Sequence, residues 1–230
     1  MRTGIFVQVR LASTRLARKA LLPLAGSTVI AHVMRALALV PADVRALLTD
    51  PASLDALAPE ASACGFLAVA GHPDDVLARF AAAARQLDVQ RVVRATGDNP
   101  LTCPRLARDI LAIHEAKRAD LSHFLECPWG TGVEVLEAGA LFAAERDAAR
   151  SDEREHLTTF LYRHPDRFAI VEAPAPSMSR MSGARVTVDT PEDYARVSRL
   201  FADLYRGEPI ESDAVVAWFR SPGAGGATGG

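Results

Sequence analysis

The sequence predicts an α/β fold, a mostly parallel sheet covered by helices on both faces with a smaller lobe, and three observations carry that expectation. Short apolar runs alternate with helix-period segments through the first half of the chain. Strand, helix, strand in succession implies right-handed crossovers and a parallel sheet. Hydrophobic residues make up 49% of the 230 residues, enough for one large core.

The elements follow in order. Residues 3–9 read as a first strand and 28–39 as a helix with Val29, Ile30, Val33 and Leu37 on one face. Residues 44–48 are a second strand, 53–64 a helix weakened by Pro59, and 66–70 a third strand. A helix over 73–87 keeps Val76, Leu77, Phe80 and Ala84 in period, 89–95 is a fourth strand, and 104–116 a helix. In the second half, 121–124 and 133–136 read as strands around a Pro-Trp-Gly-Thr-Gly loop, and 137–149 as a helix. A further helix starts near Ser151, which can cap it with Asp152 and Glu153 in the first turn. Residues 168–172 form a strand, 174–181 a loop and 185–188 a last strand. Thr190-Pro191-Glu192-Asp193 then starts a helix running to Leu204. The expected organisation is one domain over 1–220 with a lobe at about 121–183, and a disordered Gly-rich tail over 221–230.

The loop after the first strand, RLASTRLARK, holds Arg10, Arg15, Arg18 and Lys19 without an acidic residue. Ser13 and Thr14 add hydroxyls and backbone N–H groups that can close on phosphate oxygens while guanidinium forks bind them. Lys19 is one of only two lysines against twenty-four arginines, so an ammonium kept here suggests a compact cation is wanted, as for a triphosphate. The alternative is a solvated basic turn. In parallel sheets ligands sit beyond the carboxyl ends of the strands, which is where this loop emerges.

Other features narrow the class. A net charge of −2 gives no global attraction to nucleic acid or anionic membrane, so no such partner is expected. Cys64, Cys103 and Cys127 are odd in number and widely spaced, consistent with reduced thiols and a cytoplasmic enzyme. No segment reads as a membrane span or signal peptide. His32, His72, His114, His123 and His164 have no metal-ligand spacing.

Asp98 follows the fourth strand across Thr96-Gly97, and Asp189 follows the strand ending at Val188. If both strands join the sheet, both carboxylates reach the edge that carries the cationic loop. Beside a polyphosphate they need a cation between them, and Mg²⁺, held by one or two carboxylates and substrate phosphates, fits. The competing reading makes each a helix cap, with Pro100 and Pro191 starting the helices.

RLASTRL with Lys19, PLAG at 23–26, DDVLARF at 74–80, RATGDNPL at 94–101, EREHLT at 153–158 and RVTVDTPEDY at 185–194 occur in family order. The chain resembles the spore-coat polysaccharide type of cytidylyltransferase, in the superfamily that includes CMP-KDO synthetase and acylneuraminate cytidylyltransferase. The resemblance implies a Rossmann-like nucleotide-diphospho-sugar transferase fold. It also implies activation of an acidic acceptor, a sugar acid or a phosphorylated or phosphonate compound, by CTP to give a CMP or CDP conjugate and pyrophosphate. A homodimer is implied as well. By that resemblance Arg10, Ser13, Arg15 and Lys19 hold the triphosphate, Gln8 lies near the base, Thr96 and Gly97 are further nucleotide-binding residues, and Asp98 and Asp189 bind Mg²⁺. Arg15, Lys19 and Asp98 are the catalytic candidates. Asp75 and Arg79, otherwise an ordinary i,i+4 surface pair, are placed near the nucleotide. Trp129, Gly130, Thr131, Glu134, Arg154, Glu155 and His156 face the acceptor.

Two departures stand out. The family loop usually reads STRLPGK, whereas Ala17 and Arg18 here replace a rigid and a permissive residue, so a shifted or more mobile loop is expected. Gly132 replaces the aspartate of the family's GLDVEVF, which bears on the acceptor side. Two other readings are a glycosyltransferase of related fold, which would normally want a DxD-type metal motif that GDNP is not, and a nucleotide-binding homologue with weakened catalysis.

Overall fold

The computed structural model describes residues 1–221, so the expected tail lies outside the described residues apart from Ser221. The first half contains β1 (Thr3–Gln8), β2 (Pro23–Leu24), β3 (Ser27–Thr28), α1 (Val29–Ala38), β4 (Val44–Thr49), α2 (Pro51–Ala63), β5 (Leu67–Ala70), α3 (Val76–Gln86), β6 (Arg91–Thr96) and α4 (Pro104–Lys117). The second contains β7 (Leu121–Leu125), β8 (Glu134–Glu137), α5 (Ala138–Asp147), α6 (Ser151–Glu155), α7 (Thr159–Arg163), β9 (Ile170–Pro174), α8 (Pro191–Leu204) and α9 (Ser212–Arg220).

Seven strands form one sheet in the order β5-β4-β1-β6-β8-β7-β9. Only β8 runs antiparallel to its neighbours, with Arg94 opposite Glu134 on one side and His123 opposite Glu134 on the other. Alternation along β1 divides the core: Ile5 and Val7 face α1, α2 and α4, while Phe6 faces α3, α5 and α7. A third apolar cluster joins α8 and α9 to Val186, Val188, Leu24 and Leu101. The hairpin β2-β3 turns on Ala25 and Gly26, both at positive φ, as a two-residue type I′ turn requires.

The starts of α1, α2, α3, α4 and α8 carry side-chain caps. The Asp50 carboxylate accepts from Ser53 N and Pro51 occupies the first turn, so α2 begins earlier than expected and continues through Pro59. Asp75 caps α3, and Thr190 and Asp193 form a capping box at α8. Three expectations need correction. Residues 185–188 are not a sheet strand: only Arg185 bridges, to Trp129, and Val186 and Val188 are buried against α8 and α9. Ser151 is the first residue of α6 and Arg150 is its N-cap, so the serine does not cap. The five-residue turn of residues 159–163 and the nine-residue helix of 212–220 are additional helices that were not expected, both of them short.

Arg18 has φ 49°, the left-handed conformation that a glycine at this position would adopt freely. The loop therefore turns sharply at Arg18 and places strain there. Arg18→Gly is expected to raise stability by about 0.5–1 kcal/mol, the left-handed penalty less the extra chain entropy of glycine. The denaturant midpoint measures this, and a fall in it would show that the Arg18 side chain holds the loop.

Candidate functional site

The loops after β1 and β6 are stitched together where Gly97 N–H donates to the Gln8 carbonyl at 2.8 Å. A Cβ at Gly97 would lie 2.7 Å from both Ile30 Cδ1 and Val9 Cβ, so the close approach needs glycine. Between these loops is a cavity of about 290 Å³ lined by Gln8, Arg10, Ser13, Arg15, Lys19, Thr96, Gly97 and Asp98. Seven of the expected nucleotide residues, Gln8, Arg10, Ser13, Arg15, Lys19, Thr96 and Gly97, are thus brought together. Gln8 Oε1 is buried with no hydrogen-bond partner among the described residues.

Lys19 Nζ donates to Asp98 Oδ2 at 2.6 Å and to Asp189 Oδ1 at 2.7 Å, so one ammonium lies between two carboxylates. Arg15 reaches the same Asp189 oxygen at 3.0 Å. The other oxygen of Asp189 accepts from Thr187 Oγ1 at 2.8 Å and from the Arg185 guanidinium. Burial pushes the Asp189 carboxyl up, but hydrogen bonds from Lys19 and Thr187 and the charges of Lys19 and Arg15 outweigh it and bring it down to about 2. Asp189 is therefore ionised at any physiological pH. Although residues 186–189 lie outside the sheet, Val188 N donates to the Asp98 carbonyl at 2.8 Å and Val186 N to the Trp129 carbonyl at 2.8 Å. Those bonds carry Asp189 to the sheet edge. Neither aspartate caps a helix: Cys103 caps α4 and Thr190 caps α8.

A second cavity of about 470 Å³ shares Thr96 and Asp98 with the first and extends along Asn99, Cys127, Trp129, Gly130, Glu134 and Asp189. Glu134 pairs with Arg94 at 2.6 Å and accepts from Thr158 Oγ1 at 3.1 Å and Tyr162 Oη at 3.4 Å. Burial, followed by the charge of Glu134, raises the Tyr162 hydroxyl, which stays a donor. The Trp129 side chain stands exposed on the rim. Gly130 has φ 105°, and a Cβ there would come 3.0 Å from Thr187 N, so glycine lets the two walls of the cavity meet. Burial raises the Cys127 thiol, which rests within 3.9 Å of the Phe124 carbonyl. At Gly132 a Cβ would meet Cys127 Sγ at 3.3 Å, so the glycine and the thiol share this part of the wall.

The remaining expected residues sit elsewhere. Thr131 is fully buried, and its hydroxyl donates to the Pro128 carbonyl at 2.8 Å, holding the turn from beneath. Arg154 pairs with Asp75 at 2.6 Å and donates to the carbonyls of Glu145 and Ala148, bracing α6 against α3. Glu155 lies 3.9 Å from Arg10, beside the loop after β1, and His156 is exposed at the end of α6. Arg154, Glu155 and His156 therefore do not line the 470 Å³ cavity. Asp75 and Arg79 form no i,i+4 pair: Asp75 is the cap, and buried Arg79 donates to the His72 and Pro73 carbonyls. Conversely, Arg94, Asn99, Thr187 and Arg185 were not singled out by sequence, and His123, read as incidental, lines the second cavity. The signal for Arg185 and Thr187 was present, since both precede Asp189 within RVTVD.

A cytidylyltransferase family model matches residues 5–212. The spore coat polysaccharide biosynthesis protein SpsF of Bacillus subtilis is 29% identical over 226 residues, covering 95% of this chain and 94% of that protein. The uncharacterized protein MJ1063 of Methanocaldococcus jannaschii is 28% identical over 202 residues, covering 87% and 82%. Among solved structures, a cytidylyltransferase from Leptospira borgpetersenii superposes with TM-score 0.88 at 22% identity, covering 95% and 94%. CMP:2-keto-3-deoxy-manno-octonic acid synthetase in complex with CTP gives TM-score 0.68 at 17% identity, covering 88% and 99%. At those identities the two structures attest to the fold.

Proposed function

Because the chain belongs to the cytidylyltransferase family, we propose that the 290 Å³ cavity takes CTP and the 470 Å³ cavity the acceptor, with transfer at the Asp98 wall between them. The family relationship makes the chain a CTP-using nucleotidyltransferase that forms a CMP or CDP conjugate. The observation that carries the site assignment is the Lys19 ammonium held at 2.6 and 2.7 Å from Asp98 and Asp189 where the two cavities join. In such a reaction an acceptor oxygen attacks the α-phosphorus, the bond to the bridging oxygen breaks, and pyrophosphate leaves with the electron pair. The protein positions the oxygen in line and neutralises the leaving group. Arg10, Ser13, Arg15 and Lys19 bind the phosphates, and Arg15 and Lys19 meet the charge that develops on pyrophosphate.

The donor set fits Mg²⁺. Two carboxylates converge on one point, and Asp98 Oδ1 accepts no hydrogen bond among the described residues. No three His, Cys, Asp or Glu side chains group for a metal among the described residues, so phosphate oxygens would complete the coordination held by Asp98 and Asp189. Bound there, the ion would supply Lewis-acid neutralisation of the phosphates. The acceptor is acidic, a sugar acid or a phosphorylated or phosphonate compound. Trp129 and Glu134 contact its far end, while Arg154, Glu155 and His156 serve the nucleotide side or the fold. No helix among the described residues is long and apolar enough to cross a membrane. A cytoplasmic homodimer whose acceptor side is built from residues 121–183 completes the reading.

Gln8 Oε1, buried and without a hydrogen-bond partner among the described residues, would turn to accept from the exocyclic amine of cytosine, where uracil presents an acceptor oxygen instead. Calorimetry with the four nucleoside triphosphates and Mg²⁺ is expected to give CTP the highest affinity, on the order of tenfold or more over UTP. Gln8→Ala is expected to narrow that gap. A clear ATP or UTP preference in the wild type overturns the base assignment.

A further inference from the structure

The four donors to Asp189 come from two different places. Thr187 and Arg185, on the same segment as Asp189, hold Oδ2. Lys19 and Arg15, from the loop lining the 290 Å³ cavity, hold Oδ1 at 2.7 and 3.0 Å. A carboxylate has about four lone-pair sites, so the protein itself fills all of those on Asp189. The cluster also carries three cations, Arg15, Lys19 and Arg185, against the two carboxylates. A free divalent ion therefore meets a net positive cluster, one saturated carboxylate, and an ammonium already standing between the two acids. Lys19 is only 15% exposed in its side chain, so water screens this arrangement poorly.

A triphosphate changes each of those conditions. Its oxygens compete for the two donors that face its cavity, Lys19 and Arg15, and leave Arg185 and Thr187 in place. From the proposed binding of CTP in that cavity, we infer that the Asp98–Asp189 pair is a site for a divalent ion delivered as its nucleotide chelate and is closed to the free ion. Lys19 is the residue that closes it. Drawing Lys19 onto phosphate frees Asp98 Oδ2 and removes one of the two donors on Asp189 Oδ1, and drawing Arg15 the same way removes the other, so a triphosphate opens both ligands. Arg185 is a positioning residue, which keeps Oδ2 engaged and Oδ1 aimed at the junction throughout. Nucleotide and metal then enter as one unit, and the nucleotide-free enzyme carries no metal in this site.

Mn²⁺ alone, titrated into the nucleotide-free full chain with the free ion followed by electron paramagnetic resonance, tests this without any turnover. The wild type is expected to show no site tighter than roughly 1 mM, and Lys19→Met to bind Mn²⁺ on the order of tenfold or more tightly. Lys19→Gln, which keeps a donor but not the charge, is expected to show the same gain, and serves if the methionine variant does not fold. Lys19→Arg is expected to stay closed. Adding Asp98→Asn to Lys19→Met is expected to abolish the gained site, which assigns it to the carboxylate pair. Tight Mn²⁺ binding by the wild type, or unchanged affinity in both neutral Lys19 variants, overturns the inference. Calorimetry of the Mg²⁺–CTP complex separates the two levels: if the complex does not bind, the cavity assignment falls and this inference with it. If it binds and the wild type also takes Mn²⁺ tightly without nucleotide, this inference falls alone.

Discussion

Asp98→Asn is expected to keep the fold and lose pyrophosphate release from CTP by on the order of 10³-fold, with Asp189→Asn losing a comparable amount. Amide and carboxylate are nearly isosteric, so the loss reflects a missing charge rather than missing volume. Helix capping would predict little effect, because Asn caps about as well as Asp. That alternative is already weakened by the caps the structure supplies from Cys103 and Thr190. The double variant is expected to lose little beyond either single one, since the two carboxylates serve one cation and act as a unit. Added Mg²⁺ should partly restore a single variant. The assay needs a panel of sugar acids and phosphorylated or phosphonylated acceptors, and near-normal turnover of Asp98→Asn at low Mg²⁺ would remove the centre of the mechanism.

Lys19→Ala is the second large effect, a fall in turnover of on the order of 10² or more, accompanied by weaker CTP binding. Arg15→Ala is expected to act in the same direction, because it shares Asp189 Oδ1 with Lys19 and lines the same cavity. Their side effects differ. Arg15 is 65% exposed in its side chain, so its removal should barely alter the thermal midpoint. Lys19 is partly buried between two acids, and its loss leaves Asp98 without an ion-pair partner among the described residues and facing Asp189, so the midpoint should drop. Wild-type kinetics in both variants would rule out the phosphate-loop reading.

The parallel half of the fold was legible because β1, β4, β5 and β6 are apolar runs separated by helices with a clear buried face. The α8 start was legible because Thr190, Pro191 and Asp193 occupy the positions a capped helix demands. Val186-Thr187-Val188 misled for a physical reason: alternation signals a half-buried extended segment, and here the burying surface is a helix pair rather than a strand partner. The cationic loop and Asp98 were singled out from residue type and strand exits that the structure contains, whereas Asp189 was singled out from an exit of a strand that the structure replaces with an extended segment packed on α8 and α9. That Lys19 itself would join the two acids was not legible, since linear spacing does not say which cation fills the gap. The side of the site on which Arg154 and Glu155 lie was equally invisible, because it depends on how α6 packs against α3.

The reversed direction of β8 has an evolutionary consequence. Because β8 alone runs against its neighbours, its first residue, Glu134, is delivered to the same edge at which β6 ends. The connection entering it, from Glu126 to Val133, forms much of the wall of the 470 Å³ cavity, the proposed acceptor site, and contributes nothing to the 290 Å³ cavity. Exchanges in that one connection would reshape the 470 Å³ cavity, but they also reach Asp189, because the Trp129 carbonyl accepts from Val186 N–H and Gly130 packs on Thr187. Under the proposed assignment, a change of acceptor and the placement of Asp189 are thereby coupled through one connection, and Gly132 lies inside it.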